Sequence, residues 1–191
     1  MKTTDKSLID AHRKGNPDAF GEIVSRYGNS VLGYLIKMTG NREQAEDLFQ
    51  ETFKRVHEKS HTLRGTEFRS WLFKIATNAA LDGLRKRARV SSHERKFSFS
   101  DSDDENQINI NIADNSNNPS VKVIQAEHVE KVREAIKSLP DGQRATLVLA
   151  YYQQLSYREV AMALDCSVGT VKSQMFRAMK TLAQKLPEIE L

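Results

Sequence analysis

Lys172, Ser173, Phe176 and Arg177 stand at helical spacing in the stretch VGTVKSQMFRA, a pattern whose chemistry is the reading of a nucleic acid. Lys and Arg can meet guanine edges or phosphates, and Phe can touch a thymine methyl. Just upstream, Ser167 and Thr170 fall where a helix N-terminus would offer donors to phosphate. A second set of polar groups, Asp47, Gln50 and Glu51, is spaced by three and four and shares one helix face. A solvated acidic face is the ordinary fate of such residues, and docking to a basic partner is the alternative. A third set is polar and mostly basic: Lys74, Asn78, Arg85, Lys86 and Arg87 repeat along one broad side of a single helix and would follow phosphates. Catalytic patterns are missing. His12, His57, His61, His93 and His128 are scattered without metal-ligand spacing, and neither a Gly-rich phosphate loop nor a nucleophile elbow is present. No catalytic residue, metal site or cofactor is expected.

The elements that must carry these groups are helical. Ser156 and Glu159 form a capping box, so a helix should start at Tyr157, with Val160, Ala161 and Leu164 on its apolar side. Asp165 and Cys166 make a turn, and Ser167 caps a second helix that runs toward Thr181 and buries Val171, Met175 and Ala178. Two short helices about a tight turn make a helix-turn-helix suited to the major groove. An ordinary helical hairpin is the plainer alternative.

Before Arg89 the chain reads as helix almost throughout. The expected segments are 4–14, a second from Asp18 to Thr39-Gly40, a third from Arg42 to Lys59 and a fourth from Phe68 to Arg87. The third should bury Ala45, Leu48, Phe49, Thr52 and Val56. In the fourth, Trp71 sits with Leu72 and Ile75 and is assigned to the core rather than to wedging between bases, and Asp82 should pair with a nearby Arg. From Ser91 to Ser120 the composition turns to Ser, Asn and Asp, a linker signature. Within it, Gln107–Asp114 could form a brief strand. Asp101, Asp103, Asp104 and Glu105 read equally as a solvated tether or as an imitation of nucleic-acid charge. Helix resumes over 121–138 and 143–152. The expectation is an all-α fold of two small helical domains, 1–90 and 121–191, joined by a flexible acidic linker over 91–120.

The chain carries 29 Lys and Arg against 25 Asp and Glu, so the placement of charge matters more than its sum. A single cysteine excludes an intramolecular disulfide. No apolar run suits a secretory signal or a membrane span, which places the protein in the cytoplasm.

Four segments, AFGEIVSRYGNSVLGYLI, REQAEDLFQETFKRV, FRSWLFKIATNAALDGLRKR and SLPDGQRATLVLAYYQQLSYREVAMALDCSVGTVKSQMFRAMKTL, stand in an order that resembles bacterial RNA polymerase sigma factors of the extracytoplasmic-function (ECF) group. The resemblance implies that 1–90 is sigma region 2 and 121–191 is region 4. It implies that DLFQE, with Asp47, Gln50 and Glu51, docks on the clamp helices of core RNA polymerase. It places the loop from Ser60 to Glu67, with His61, Thr62 and Arg64, at the captured base of the −10 element. Lys74, Asn78, Arg85, Lys86 and Arg87 then follow the −10 strand, and Ser167, Thr170, Lys172, Ser173, Phe176 and Arg177 read the −35 element. The linker would thread the active-site cleft and RNA exit channel, and an anti-sigma factor would mask the polymerase-binding faces. Gln174 departs from the Arg usual in the family; it would read adenine or make only a backbone contact, and the −35 preference would shift accordingly. Few exposed aromatics imply weak melting and a need for near-consensus promoters. A sensor-type regulator binding a palindrome as a dimer is the rival reading, but 1–90 shows neither a ligand pocket nor a phosphoacceptor pattern.

Overall fold

The computed structural model describes residues 3–63, 65–94 and 119–187. Eight α-helices are found among them: α1 Asp5–Arg13, α2 Pro17–Thr39, α3 Arg42–Lys59, α4 Phe68–Glu94, α5 Pro119–Lys137, α6 Asp141–Leu147, α7 Tyr157–Leu164 and α8 Val168–Lys185. A 3-10 turn, Ser60–Thr62, follows α3, and a π-helical turn, Val148–Tyr152, follows α6. The described residues contain no strand. The possible strand at Gln107–Asp114 and the acidic group Asp101, Asp103, Asp104 and Glu105 lie outside the described residues.

Local chemistry explains the helix ends. Thr4 caps α1 by accepting from the Ser7 amide at 3.2 Å. Asn16 caps α2, and Pro17 fills the first turn, where its missing N–H costs nothing. That helix runs unbroken through Gly28 and stops at Gly40, whose φ of 69° lets its N–H reach the Ile36 carbonyl. Asn41 caps α3 by accepting from the Gln44 amide at 2.8 Å, but no reciprocal box forms, because the Gln44 side chain accepts from Arg87 instead. The Ser156–Glu159 capping box is complete. Its hydrogen bonds from Ser156 hold the Glu159 carboxyl below its ordinary pKa.

α2, α3 and α4 pack together, with α1 laid across α2. Tyr34, wholly buried, shares a hydrogen bond of 2.7 Å with Thr77 and meets Phe73 edge-on. Burial pushes its phenol pKa well up. Trp71 is half-buried rather than fully inside. It tilts against Phe68, and its indole N–H donates to Thr62 Oγ1 at 3.2 Å. Asp82 lies 3.9 Å from Arg55 and 3.8 Å from Arg85, as expected of it.

α6, α7 and α8 form a second bundle, yet the buried apolar side chains of both halves make one continuous cluster. Arginines from the second half seal the seam. Arg144, 8% exposed, donates through Nη1 to the Met38 carbonyl and through Nη2 to Lys137 O at 2.8 Å and Leu139 O at 2.9 Å. Arg133 donates to Gly40 O at 3.2 Å. Both cations therefore sit at the C-terminal, negative end of the α2 dipole.

On the outer side, His12 stacks on Phe20 with centroids 4.8 Å apart and lies 4.9 Å from the His57 ring. Burial, and then the neighbouring His57, lower its pKa. A histidine whose folded pKa is depressed binds its proton more readily when unfolded. Its contribution is therefore complete above about pH 6.5 and is lost as pH falls below that value. Urea midpoints should decline between pH 7.5 and 5.5, and His12→Phe should flatten that decline.

Candidate nucleic-acid and polymerase interfaces

Three surfaces carry the residues singled out by sequence. On α3, Asp47 and Gln50 are exposed, while Ala45, Thr52, Phe53 and Val56 face the core. Glu51, one turn on, is half-buried and bonds Arg55 at 2.8 Å. The stripe is real, with one of its carboxylates already partnered within the helix.

The second surface is α4 with the loop before it. Asn78, Arg85, Lys86 and Arg87 are exposed along the helix, and Arg87 donates to Gln44 at 3.0 Å. Lys74 is half-buried and paired with Asp165 at 3.1 Å. In the loop, His61 contacts the Glu58 carbonyl at 3.1 Å, and Thr62 donates to Lys59 O at 2.8 Å. Both side chains thus close the C-terminal end of α3 while remaining solvent-accessible. Arg64 lies outside the described residues.

The third surface is α8. Ser167 spends its hydroxyl on capping, accepting from the Thr170 amide at 3.0 Å, and the two hydroxyls lie 2.9 Å apart. Lys172, Ser173, Phe176 and Arg177 line one shallow groove, and Phe176 is 71% exposed. An aromatic left that open on a cationic helix is available to a ligand. Lys180 completes the same groove and escaped the sequence reading. Its spacing of three and four from Arg177 and Phe176 was the available signal. The expected burial holds for Val171 and Ala178, with Met175 half-buried.

Gln174 points away from any groove. Its Oε1 accepts from Thr146 Oγ1, a buried hydroxyl on α6. Its amide lies over Gly142, where a Cβ would come within 3.2 Å of Nε2. The reason is periodicity: position 174 lies three after Val171 and four before Ala178, on the buried stripe. Adenine reading is thus not its arrangement here. In promoter binding at varied salt, Gln174→Ala should leave the slope unchanged and cost on the order of 1 kcal/mol of fold stability through its lost hydrogen bond. Arg177→Ala should instead reduce the slope by about one.

Among the described residues the chain is all-helical, with a capped helix-turn-helix and a basic helix beside it, an architecture that suits a DNA-binding protein. Residues 23–90 match the family model for Sigma-70 region 2, and residues 129–182 match Sigma-70, region 4. The ECF RNA polymerase sigma-E factor of Haemophilus influenzae is 31% identical, the match covering 96% of this chain and 95% of that one. The ECF RNA polymerase sigma factor SigW of Bacillus subtilis is 30% identical, covering 99% and 100%. A solved structure of the Bartonella quintana sigma factor RpoE, in complex with the anti-sigma factor NepR, superposes with a TM-score of 0.69. That likeness has 24% identity, covers 88% of this chain and 96% of that one, and bears on the fold. This chain belongs to the ECF sigma factors, non-catalytic proteins that direct promoter-specific transcription initiation. No described helix is long and apolar enough to cross a membrane.

Proposed function

We propose that this chain is a cytoplasmic alternative sigma factor whose three surfaces divide the work of initiation. Asp47, Gln50 and Glu51 on α3 take core RNA polymerase through charge-assisted hydrogen bonds. The basic face of α4 and the loop before it hold the −10 strand, with Lys74, Asn78, Arg85, Lys86 and Arg87 on phosphates and His61, Thr62 and Arg64 near the captured base. Lys172, Ser173, Phe176, Arg177 and Lys180 on α8 read the −35 element, with Ser167 and Thr170 at the phosphate that sets register. Residues 1–90 act as region 2, 121–191 as region 4, and 91–120 as the tether between them. An anti-sigma factor is the expected regulator, since the similar Bartonella protein was solved with one.

The observation that carries this reading is the α8 groove, where an exposed Phe176 sits among Lys172, Arg177 and Lys180 on a capped recognition helix. Run-off transcription with core polymerase, on promoter fragments from the source genome, tests it. Discrete transcripts that require the protein support the reading. A dimer that shifts palindromic DNA alone, with no transcript, replaces it by the regulator reading.

A further inference from the structure

The loop assigned above to the captured base is braced from α1. Arg13, in the last turn of that helix, crosses to the residues that follow α3. Its Nε donates to Ser60 O at 3.1 Å, and its Nη2 donates to Ser60 O and, at 3.1 Å, to Leu63 O. Nη1 lies 3.3 Å from the Asp10 carboxylate one turn back, which orients the fork. The need for such a cation is local. α3 ends at Lys59, where the helix runs out of amides to meet its carbonyls. Loop side chains serve two of them, His61 facing Glu58 O and Thr62 donating to Lys59 O. Ser60 and Leu63 are each 8% exposed, and their carbonyls take the guanidinium. We propose that Arg13 is the positioning residue of the −10 loop. It fixes the backbone from which His61 and Thr62 face the captured base, and so sets base selectivity without touching DNA. The inference rests on the −10 reading of that loop.

Two observations separate this role from general support of the fold. α1 has its own hold on the bundle, with Leu8 and Ile9 buried and Asp5 paired to Arg26 at 2.7 Å. The Arg13 side chain is 31% exposed, so trimming it leaves that packing in place. The second observation is a grip from the opposite side. The Thr62 hydroxyl, its proton given to Lys59 O, accepts from Trp71 Nε1 on α4 at 3.2 Å. The loop is thus held between two helices, by its backbone on one side and a side chain on the other. The His12 and His57 rings, 4.9 Å apart, keep the last turns of α1 and α3 together. Discrimination by hydrogen bonding needs its groups held within about 0.5 Å, so a loosened loop loses selectivity before it loses affinity.

The test is run-off transcription by holoenzyme on one promoter, with each −10 and −35 position replaced in turn by the other three bases. The wild type should discriminate sharply at one −10 position, and His61→Ala and Thr62→Val should blunt that preference. Arg13→Ala should reduce discrimination at the same position about fivefold, and change it within about twofold at every −35 position. Arg13→Lys should recover part of the loss, since an ammonium reaches one carbonyl but cannot span two. Amide exchange in the free chain reads the hold itself. The Leu63 N–H, which donates to Ser60 O at 3.2 Å, should exchange about tenfold faster in Arg13→Ala. The Val56 amide, on the buried face of α3, should not change. If Val56 also loses protection, Arg13→Lys carries the same comparison, with an expected loss of about twofold. Equal loss at −10 and −35 positions, or an unchanged −10 preference in Arg13→Ala while the loop variants blunt it, overturns the positioning role alone. If His61→Ala and Thr62→Val leave every −10 preference intact, the reading of the loop falls, and this role with it.

Discussion

Asp47→Ala/Gln50→Ala/Glu51→Ala should abolish transcription from cognate promoters while leaving the fold intact. The three positions share one stripe of α3, opposite the face that buries Ala45, Thr52 and Val56. Folding has little to lose there. Asp47 and Gln50 project from the surface, and the Glu51–Arg55 pair, one helical turn long and part-exposed, is worth roughly 0.5 kcal/mol. Alanine's helix propensity recovers some of that. The interface has far more to lose. Truncating a charge that is hydrogen-bonded across a buried interface costs about 2 kcal/mol or more, and about 1.4 kcal/mol is a factor of ten. Two carboxylates and an amide removed together should weaken core binding by at least about 100-fold. Circular dichroism and the urea midpoint should barely move. Normal transcription from the triple variant would move the polymerase contact off α3.

Arg144→Met should be among the most damaging single substitutions in the described chain. The guanidinium is 8% exposed and donates to three backbone carbonyls, at Met38, Lys137 and Leu139, with Asp141 3.5 Å away. Methionine can fill much of the volume but offers no donor, so the three carbonyls would lose charge-assisted bonds worth about 1.5–3 kcal/mol each. Partial relaxation and water entry return some of this, leaving a net loss of at least about 3 kcal/mol against a typical total of 5–15 kcal/mol. Arg144→Lys should fall between, since an ammonium is a point charge that cannot span the three acceptors in the guanidinium's planar fork. Urea unfolding followed by circular dichroism reads both. A methionine variant with the wild-type midpoint would remove Arg144 from the seam's energetics.

Much of the fold is written locally. Caps at Thr4, Asn16, Asn41, Ser156 and Ser167 are chosen by side chains within three residues of the amides they bind, so sequence spacing reveals them. The amphipathic faces of α3 and α8 are legible for the same reason. What local spacing misses is pairing across the chain. Arg144 and Met38 are 106 residues apart, and nothing near either announces the other. The composition of 91–120 pointed to two helical domains and left their relative placement open, and it is the arginines at the end of α2 that bring their cores into contact. Gln174 shows a different failure. Its position on the α8 stripe was readable, but its polar character drew it toward the groove when Thr146 was waiting on the buried side. Trp71 fell between the alternatives offered for it, its ring against Phe68 and its N–H spent on the loop.

That last arrangement gives the molecule an optical gauge of its own. The chain has one tryptophan, so its fluorescence excited on the red edge comes from a single indole rather than an average. The indole is tied by its N–H to Thr62 and faced by Phe68, which makes its emission colour and quenching a local readout of how the loop at residues 60–63 is held. Events at that loop write themselves into the emission spectrum of the free protein, without any dye or tag.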